Sequence, residues 1–171
     1  MNNNLNKINA RYLFIFCFLI LTYSMKGVAM SILSGTEVVL FSPLEGKITY
    51  QGKPVANAKI TRLTVWKDET GETDVFNTNE KGEFSLPVKE TKLRLSPLAE
   101  FRVAQEIRIF FQDEEFLIWV KSKRNIELYG ELNGKPKNLR CELTDKRERQ
   151  ENHNGLFSTS CKWDSIEKQG K

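Results

Sequence analysis

The stretch GKITYQGKPVANAKI, residues 46–60, reads as a strand, a tight turn and a second strand. Ile48 and Tyr50 alternate with polar neighbours, the period of a half-buried strand. Gly52-Lys53-Pro54 ends that strand. Glycine tolerates positive φ, and proline fixes its own φ and has no N–H to give to a ladder. Val55, Ala58 and Ile60 then resume the apolar side. The pattern predicts an all-β fold class, an antiparallel β-sandwich, and it fixes no activity.

Working outward, short strands are predicted over 37–41, 47–50, 59–66, 73–77, 83–88 and 92–95. Further strands are predicted over 105–111, 115–121, 125–132, 139–144 and 156–163. Turn residues separate them at intervals that mark a sandwich or barrel. Gln112-Asp113-Glu114 reads as the tip of a central hairpin. Segment 97–107 stays open between a helical turn and a strand, because Leu98, Phe101, Ala104 and Ile107 also fit a helical period. Residues 30–171 are read as one domain, with a core motif at 46–86 and a C-terminal hairpin at 136–164.

The motif residues carry a resemblance. Gly52-Lys53-Pro54-Val55 with Ala58, then Thr78-Asn79-Glu80-Lys81-Gly82-Glu83-Phe84, resemble the carboxypeptidase regulatory-like domain, whose fold is a transthyretin-like (prealbumin-like) sandwich. Asn79 stands where that family has aspartate, and asparagine makes the same local turn bond. The resemblance implies structural roles for Gly46, Gly52, Pro54, Val55, Ala58, Asn79, Gly82 and Phe84, with Gly82 at positive φ and Phe84 in the core. It covers residues 46–86. Phe41-Ser42-Pro43-Leu44, Trp119 and Cys161-Lys162-Trp163 look like a bacterial secreted group built on that fold. The resemblance implies folding support or binding rather than a reaction, since one fold hosts many functions.

The first 29 residues differ from the rest. Lys7 and Arg11 precede the uncharged run YLFIFCFLILTY at 12–23, and Gly27-Val28-Ala29 supplies small residues before a cleavage point. This is the three-part pattern of a Sec-type signal peptide, residues 1–29. The run is shorter than the ~20 residues of a membrane-spanning helix. The expected location is periplasmic or secreted, with an inner-membrane anchor as the alternative if the leader stays uncleaved. The formal charge of +4 includes Lys7, Arg11 and Lys26, so the mature chain carries +1. No basic, aromatic-interleaved face of the kind that binds nucleic acid is visible, and no nucleic-acid partner is expected.

Export also frames the cysteines. Cys17 leaves with the leader, and Cys141 and Cys161 remain. In an oxidising compartment an even pair suggests a disulfide. If 139–144 and 156–163 pair as a hairpin across the polar run DKRERQENHNG, the two cysteines fall near opposite positions. A cross-link closing such a loop contributes about 3 kcal/mol.

Chemistry is sparse. His153 is the only histidine, set in the polar loop, and a Ser-His-Asp or Cys-His site would have to use it. Cys141, Cys161 and His153 fall short of the four ligands of structural zinc. Asp113, Glu114 and Glu115 lack the spaced ligands and glycine of a calcium loop. No enzyme activity, cofactor or metal is expected. Trp66, Phe110, Phe111 and Trp119 are the candidate binding surface, since an exposed aromatic patch marks an interaction site. The expected role is a non-enzymatic secreted binding or structural module, acting through protein contact at its surface or a sheet edge. The alternatives are a periplasmic immunity or inhibitor protein against a toxin, and a weak carbohydrate-binding module.

Overall fold

The computed structural model describes residues 35–66, 70–95, 100–151 and 155–168. The leader, residues 97–99 of the ambiguous segment and His153 lie outside these residues. In chain order the first strands are β1 (Thr36–Phe41), β2 (Leu44–Tyr50), β3 (Lys53–Pro54), β4 (Lys59–Trp66) and β5 (Glu72–Asn77). There follow β6 (Glu83–Leu86), β7 (Lys89–Leu93), β8 (Val103–Phe111), β9 (Glu114–Lys123) and β10 (Lys135–Lys137). The last are β11 (Arg140–Glu142), β12 (Glu148–Arg149), β13 (Phe157–Thr159), β14 (Cys161–Lys162) and β15 (Ser165–Glu167). No helix occurs among the described residues.

Two sheets carry the core. One is six-stranded in the order β12-β13-β9-β8-β4-β5. The other runs β14-β11-β2-β3, with β6 beside β3 along the same flank of β2. Small ribbons β1-β7 and β10-β15 complete the fold. Ile48, Val55, Phe84, Leu86 and Cys141 from the smaller sheet meet Ile60, Ile107, Ile109, Trp119 and Phe157 from the larger one in a single buried cluster. Each fully buried side chain of this size contributes about 1.5–3 kcal/mol. A second cluster, Val38, Leu40, Phe101 and Val103, lies with the β1-β7 ribbon.

The quoted motif works through its turns. Gly52 and Gly82 take φ of 75° and 74°. At Gly82 a Cβ would sit 2.5 Å from the Ile48 carbonyl oxygen, so only glycine fits. Asn79 Oδ1 accepts from the Lys81 and Glu83 amides, both at 2.9 Å, making the local turn bond expected of it. The buried Thr78 hydroxyl donates to the Val55 carbonyl at 2.7 Å and accepts from the Ala58 amide at 2.9 Å. These two bonds tie the halves of the motif together.

Two expectations change, and one open segment is decided. Segment 125–132 forms turns, not a strand: Asn125 Nδ2 donates to the Gly130 carbonyl at 3.0 Å, and Tyr129 and Asn133 take positive φ. From Val103 the open segment is strand, paired with β4 along its whole length and leaving no helical turn over 103–107. The predicted strand 156–163 breaks in two. Thr159 donates its hydroxyl to the Ile118 carbonyl at 2.8 Å and accepts from the Cys161 amide at 3.0 Å. That clamp passes the chain from β13 in the larger sheet to β14 in the smaller one. Ile118 is available because it is the extra residue of a bulge, with Trp119 opposite Ile107 and Leu117 opposite Arg108. Cys141 and Cys161 are directly paired across β11 and β14, and they form a disulfide with Cα atoms 4.1 Å apart. The same β11 runs parallel to β2, a pairing that no local pattern announced.

Candidate functional site

The aromatic candidates do not come together. Trp119 is a core residue, 1% exposed, which corrects its assignment to a surface. Its ring packs against Phe157 at 4.5 Å between centroids. Trp66 lies against Phe101 at 4.6 Å, in the second cluster. Phe110 sits under the Lys59 ammonium at 5.0 Å, and Phe111 meets Tyr50 edge-on at 5.7 Å. The four rings thus have different packing partners. The turn carboxylates are equally separate: Glu115 is paired with Arg108. Among the described residues no group of three metal-ligating side chains converges.

Buried charges instead serve as internal fasteners. Glu131 is 5% exposed and accepts from the Ser42 amide, the Ser42 hydroxyl, Gln105 Nε2 and Lys123 Nζ at 3.0, 2.6, 2.9 and 3.2 Å. Burial lowers the Lys123 ammonium, with Glu131 working against that shift. Burial also pushes Lys121 down to about 8. Along the same inner face of the sheet, Arg62 is sandwiched over the rings of Phe41 and Phe76 at 5.1 and 5.2 Å. It donates to Asp74 at 2.8 Å and to the Pro87 carbonyl. Lys89 bridges Asp74 at 3.0 Å and Glu72 at 2.9 Å. Burial alone would raise the Asp74 carboxyl, but the hydrogen bonds from Arg62 and Lys89 outweigh it and hold it below its usual value.

Glu142 fastens the motif turn. It accepts from the Thr49 hydroxyl at 2.8 Å and from the Gln51 and Gly52 amides at 2.9 and 3.0 Å. It also accepts from the Thr144 hydroxyl and amide at 2.7 and 3.1 Å. Burial opposes ionisation there, yet the bonds from Thr144, Gly52 and Thr49 bring the carboxyl down to about 2.

Two surface features remain. One is an open trough of about 990 Å³ floored by Gly46 and Phe84 and walled by Lys47, Lys135, Lys137 and Arg140. Lys137 and Arg140 are already paired, with Glu167 and Asp164 at 2.6 Å each, and Glu45 and Glu83 line the trough beside Lys47 and Lys135, so the wall is largely neutral. The other is the β5 edge. Six consecutive pairs join β5 to β4, from Lys59↔Asn77 to Thr64↔Glu72, and among the described residues no strand flanks its far side. The Thr78 amide donates to the Ala58 carbonyl at 3.0 Å, one step beyond that register. Antiparallel alternation therefore turns the N–H and C=O groups of residues 72, 74 and 76 toward β4. Those of Thr73, Val75 and Asn77 point away from the sheet. The side chains of these three are exposed, Val75 at 57%.

Edge strands in stable proteins are blunted by lysine, proline, bulges or shortness. β5 reads Glu-Thr-Asp-Val-Phe-Asn and has none of these; an inward-facing charge, a further guard, is present at Asp74 but is paired with Arg62 and Lys89. Its two carboxylates are neutralised from inside by Arg62 and Lys89. Sequence reading placed a strand here at 73–77 and did not single out Val75. The missing lysine and proline are visible in the sequence, but the position of the strand at a sheet margin is set by long-range pairing.

Against known proteins, residues 44–146, more than half of the chain, match the family model described as Domain of unknown function (DUF6795). No curated protein matches, and no solved structure matches.

Proposed function

The chain belongs to the DUF6795 family, and we propose that it is an exported, non-enzymatic module that binds protein by strand addition at the β5 edge. In this reading the sandwich is transthyretin-like, as the turn motif of 46–86 suggests. The observation that carries it is the open backbone of Thr73, Val75 and Asn77 on a neutral edge of six residues. Strand addition needs no pocket: main-chain hydrogen bonds supply affinity, and alternate side chains supply selectivity. Export is supported by the leader pattern and by the Cys141–Cys161 bond, since such bonds persist in oxidising compartments. A non-enzymatic role is supported by the way Arg62, Lys89, Glu131 and Glu142 are spent on joining elements.

The test combines capture with hydrogen exchange on the protein made by its own cells. The amides of Thr73, Val75 and Asn77 are expected to slow in the bound form. Val75→Lys is expected to abolish both that protection and capture, while the exchange of core amides stays unchanged. Equal capture by the variant, with fast exchange at the three amides throughout, would refute the edge as the binding site. Intact mass on the same sample reports cleavage after Ala29 and the 2 Da deficit of one disulfide, ~2 hydrogens lost per bond.

A further inference from the structure

We infer that the strand added to β5 is β5 of a second copy, antiparallel and centred on Val75. The inference rests on the strand-addition reading and names its partner. A two-fold axis perpendicular to a sheet pairs residues whose side chains share a face, so the central pair is one residue with its own copy. The axis can pass through a hydrogen-bonded pair, at Thr73, Val75 or Asn77, whose backbone groups face outward, or through a non-hydrogen-bonded pair, at Asp74 or Phe76. Centring on Thr73 would place Gly71, outside the strand, opposite Val75. Centring on Asn77 would run the pairing into the Asn79–Gly82 turn. Of the hydrogen-bonded centres, Val75 uses the full strand: it pairs with its copy, and Thr73 pairs with Asn77 in both directions.

That register satisfies every outward N–H and C=O of the three residues with reciprocal bonds. It also passes an electrostatic check. Like charges directly opposite each other destabilise a strand pair. Here Asp74 falls opposite Phe76 and Glu72 opposite Thr78, so no carboxylates meet. A register centred on Asp74 would pair Thr73 with Val75 but set the two Asp74 carboxylates face to face, and one centred on Phe76 would run into the Asn79–Gly82 turn with Glu72 opposite Glu80. The central contact is Val75 on Val75, covering the most exposed large apolar side chain among the described residues. Two six-residue strands bury less than the roughly 1,200 Å² of a permanent interface. The dimer is therefore a reversible, concentration-dependent one.

The experiment is disulfide trapping with a mass measurement on the protein from its own cells. Directly paired hydrogen-bonded residues have Cα atoms about 5.5 Å apart, within disulfide reach. Val75→Cys is expected to give a covalent dimer whose linking peptide joins the two substituted positions. Thr73→Cys is expected to give none, because its copies lie four residues out of register, about 14 Å apart. The average mass of the unmodified protein is expected to rise toward twice the monomer between about 10 μM and 1 mM, a span suited to a weak interface. Val75→Lys should hold it at monomer. A constant monomer mass with no Val75→Cys cross-link overturns self-pairing. If the three edge amides still gain Val75-dependent protection on capture of a different chain, strand addition survives that result. If they do not, both readings fall. Preferential trapping by Thr73→Cys would overturn the register.

Discussion

The two margins of the larger sheet are built on opposite plans. At one margin β12 is two residues, Glu148 and Arg149, both charged and exposed. Just inside it, the chain leaves β13 and crosses into the other sheet at the Thr159 clamp, where the Cys141–Cys161 bond holds the crossing. At the other margin β5 has six residues, no lysine, no proline and no bulge. The smaller sheet resembles the first plan: β3 is Lys53-Pro54, one residue that repels a neighbour and one that cannot donate to it. These two short margins, β12 and β3, are guarded, and the long β5 margin is open. Guarding costs little in sequence terms, so six unguarded residues in β5 stand out.

Breaking this contrast starts from the charges behind β5. Arg62, 3% exposed, neutralises Asp74 from the buried side. Arg62→Met would strand that carboxylate and the Pro87 carbonyl, and breaking a buried pair costs about 3–5 kcal/mol. Urea unfolding should show a loss in the lower part of that range, since Asp74 keeps Lys89 and some solvent. Next in size is the guarded margin. Cys141→Ser with Cys161→Ser removes a cross-link across 20 residues and is expected to cost about 3 kcal/mol. The crossing from β13 to β14 should open first, so exchange at Phe157 and Ser158 should speed up before that at β4 or β8.

How much of this was legible differs by region, for physical reasons. β4 was readable to the residue because Ile60, Arg62 and Thr64 alternate inward over a long, uninterrupted pairing. The motif turns were readable because glycine at positive φ and an Asn side-chain bond are local requirements. Segment 125–132 misled because Ile126, Leu128, Gly130 and Leu132 alternate like a strand, while Asn125 and the positive φ of Tyr129 fold them into turns. The cysteine pairing followed from a hairpin argument that is correct at residues 141 and 161. The break at Ser160 was invisible, because it depends on a bulge carbonyl at Ile118, 42 positions away in sequence. Trp119 was misplaced for the same cause: the bulge brings both Ile118 and Trp119 inside. The β5 edge was legible as a strand but not as a margin, since parallel pairing of β2 with β11 and the order of the larger sheet leave no local trace.

The guard at β3 offers a smaller effect with a pH signature. Glu142 pins the Gln51-Gly52 turn that presents Lys53-Pro54. Its carboxyl titrates at about 2 when folded, below the ordinary 4.5. A depressed carboxylate contributes stability that is fully present above its unfolded value and is lost as pH falls through its folded one. The contribution should therefore be complete above pH 4.5 and fade toward pH 2. Glu142 is partly solvated, so a discounted value of about 1 kcal/mol is expected for Glu142→Gln at neutral pH. The difference between the variant and the parent should shrink as pH is lowered. A gap that stays constant with pH would mean that the turn is held by shape and not by the charge.

Val75→Lys carries the smallest expected effect on folding and the largest on association, and that separation is the sharpest use of the contrast. Val75 is 57% exposed and stands on the outer face, away from both buried clusters. Surface substitutions of this kind usually stay within about 0.5 kcal/mol. Thermal and urea midpoints should barely move, because what Val75 loses in strand preference is small and it belongs to neither buried cluster. The same lysine places a charge on the open edge, the device that β3 already uses at Lys53. Centred on Val75, a self-paired edge would bring two added ammonium groups opposite each other, a like-charge pair at the middle of the contact. Stability and association should therefore separate completely in this variant. A loss of both together would mean that β5 is held by side-chain packing that its exposure does not reveal, and the open margin would then be a structural strand like the others.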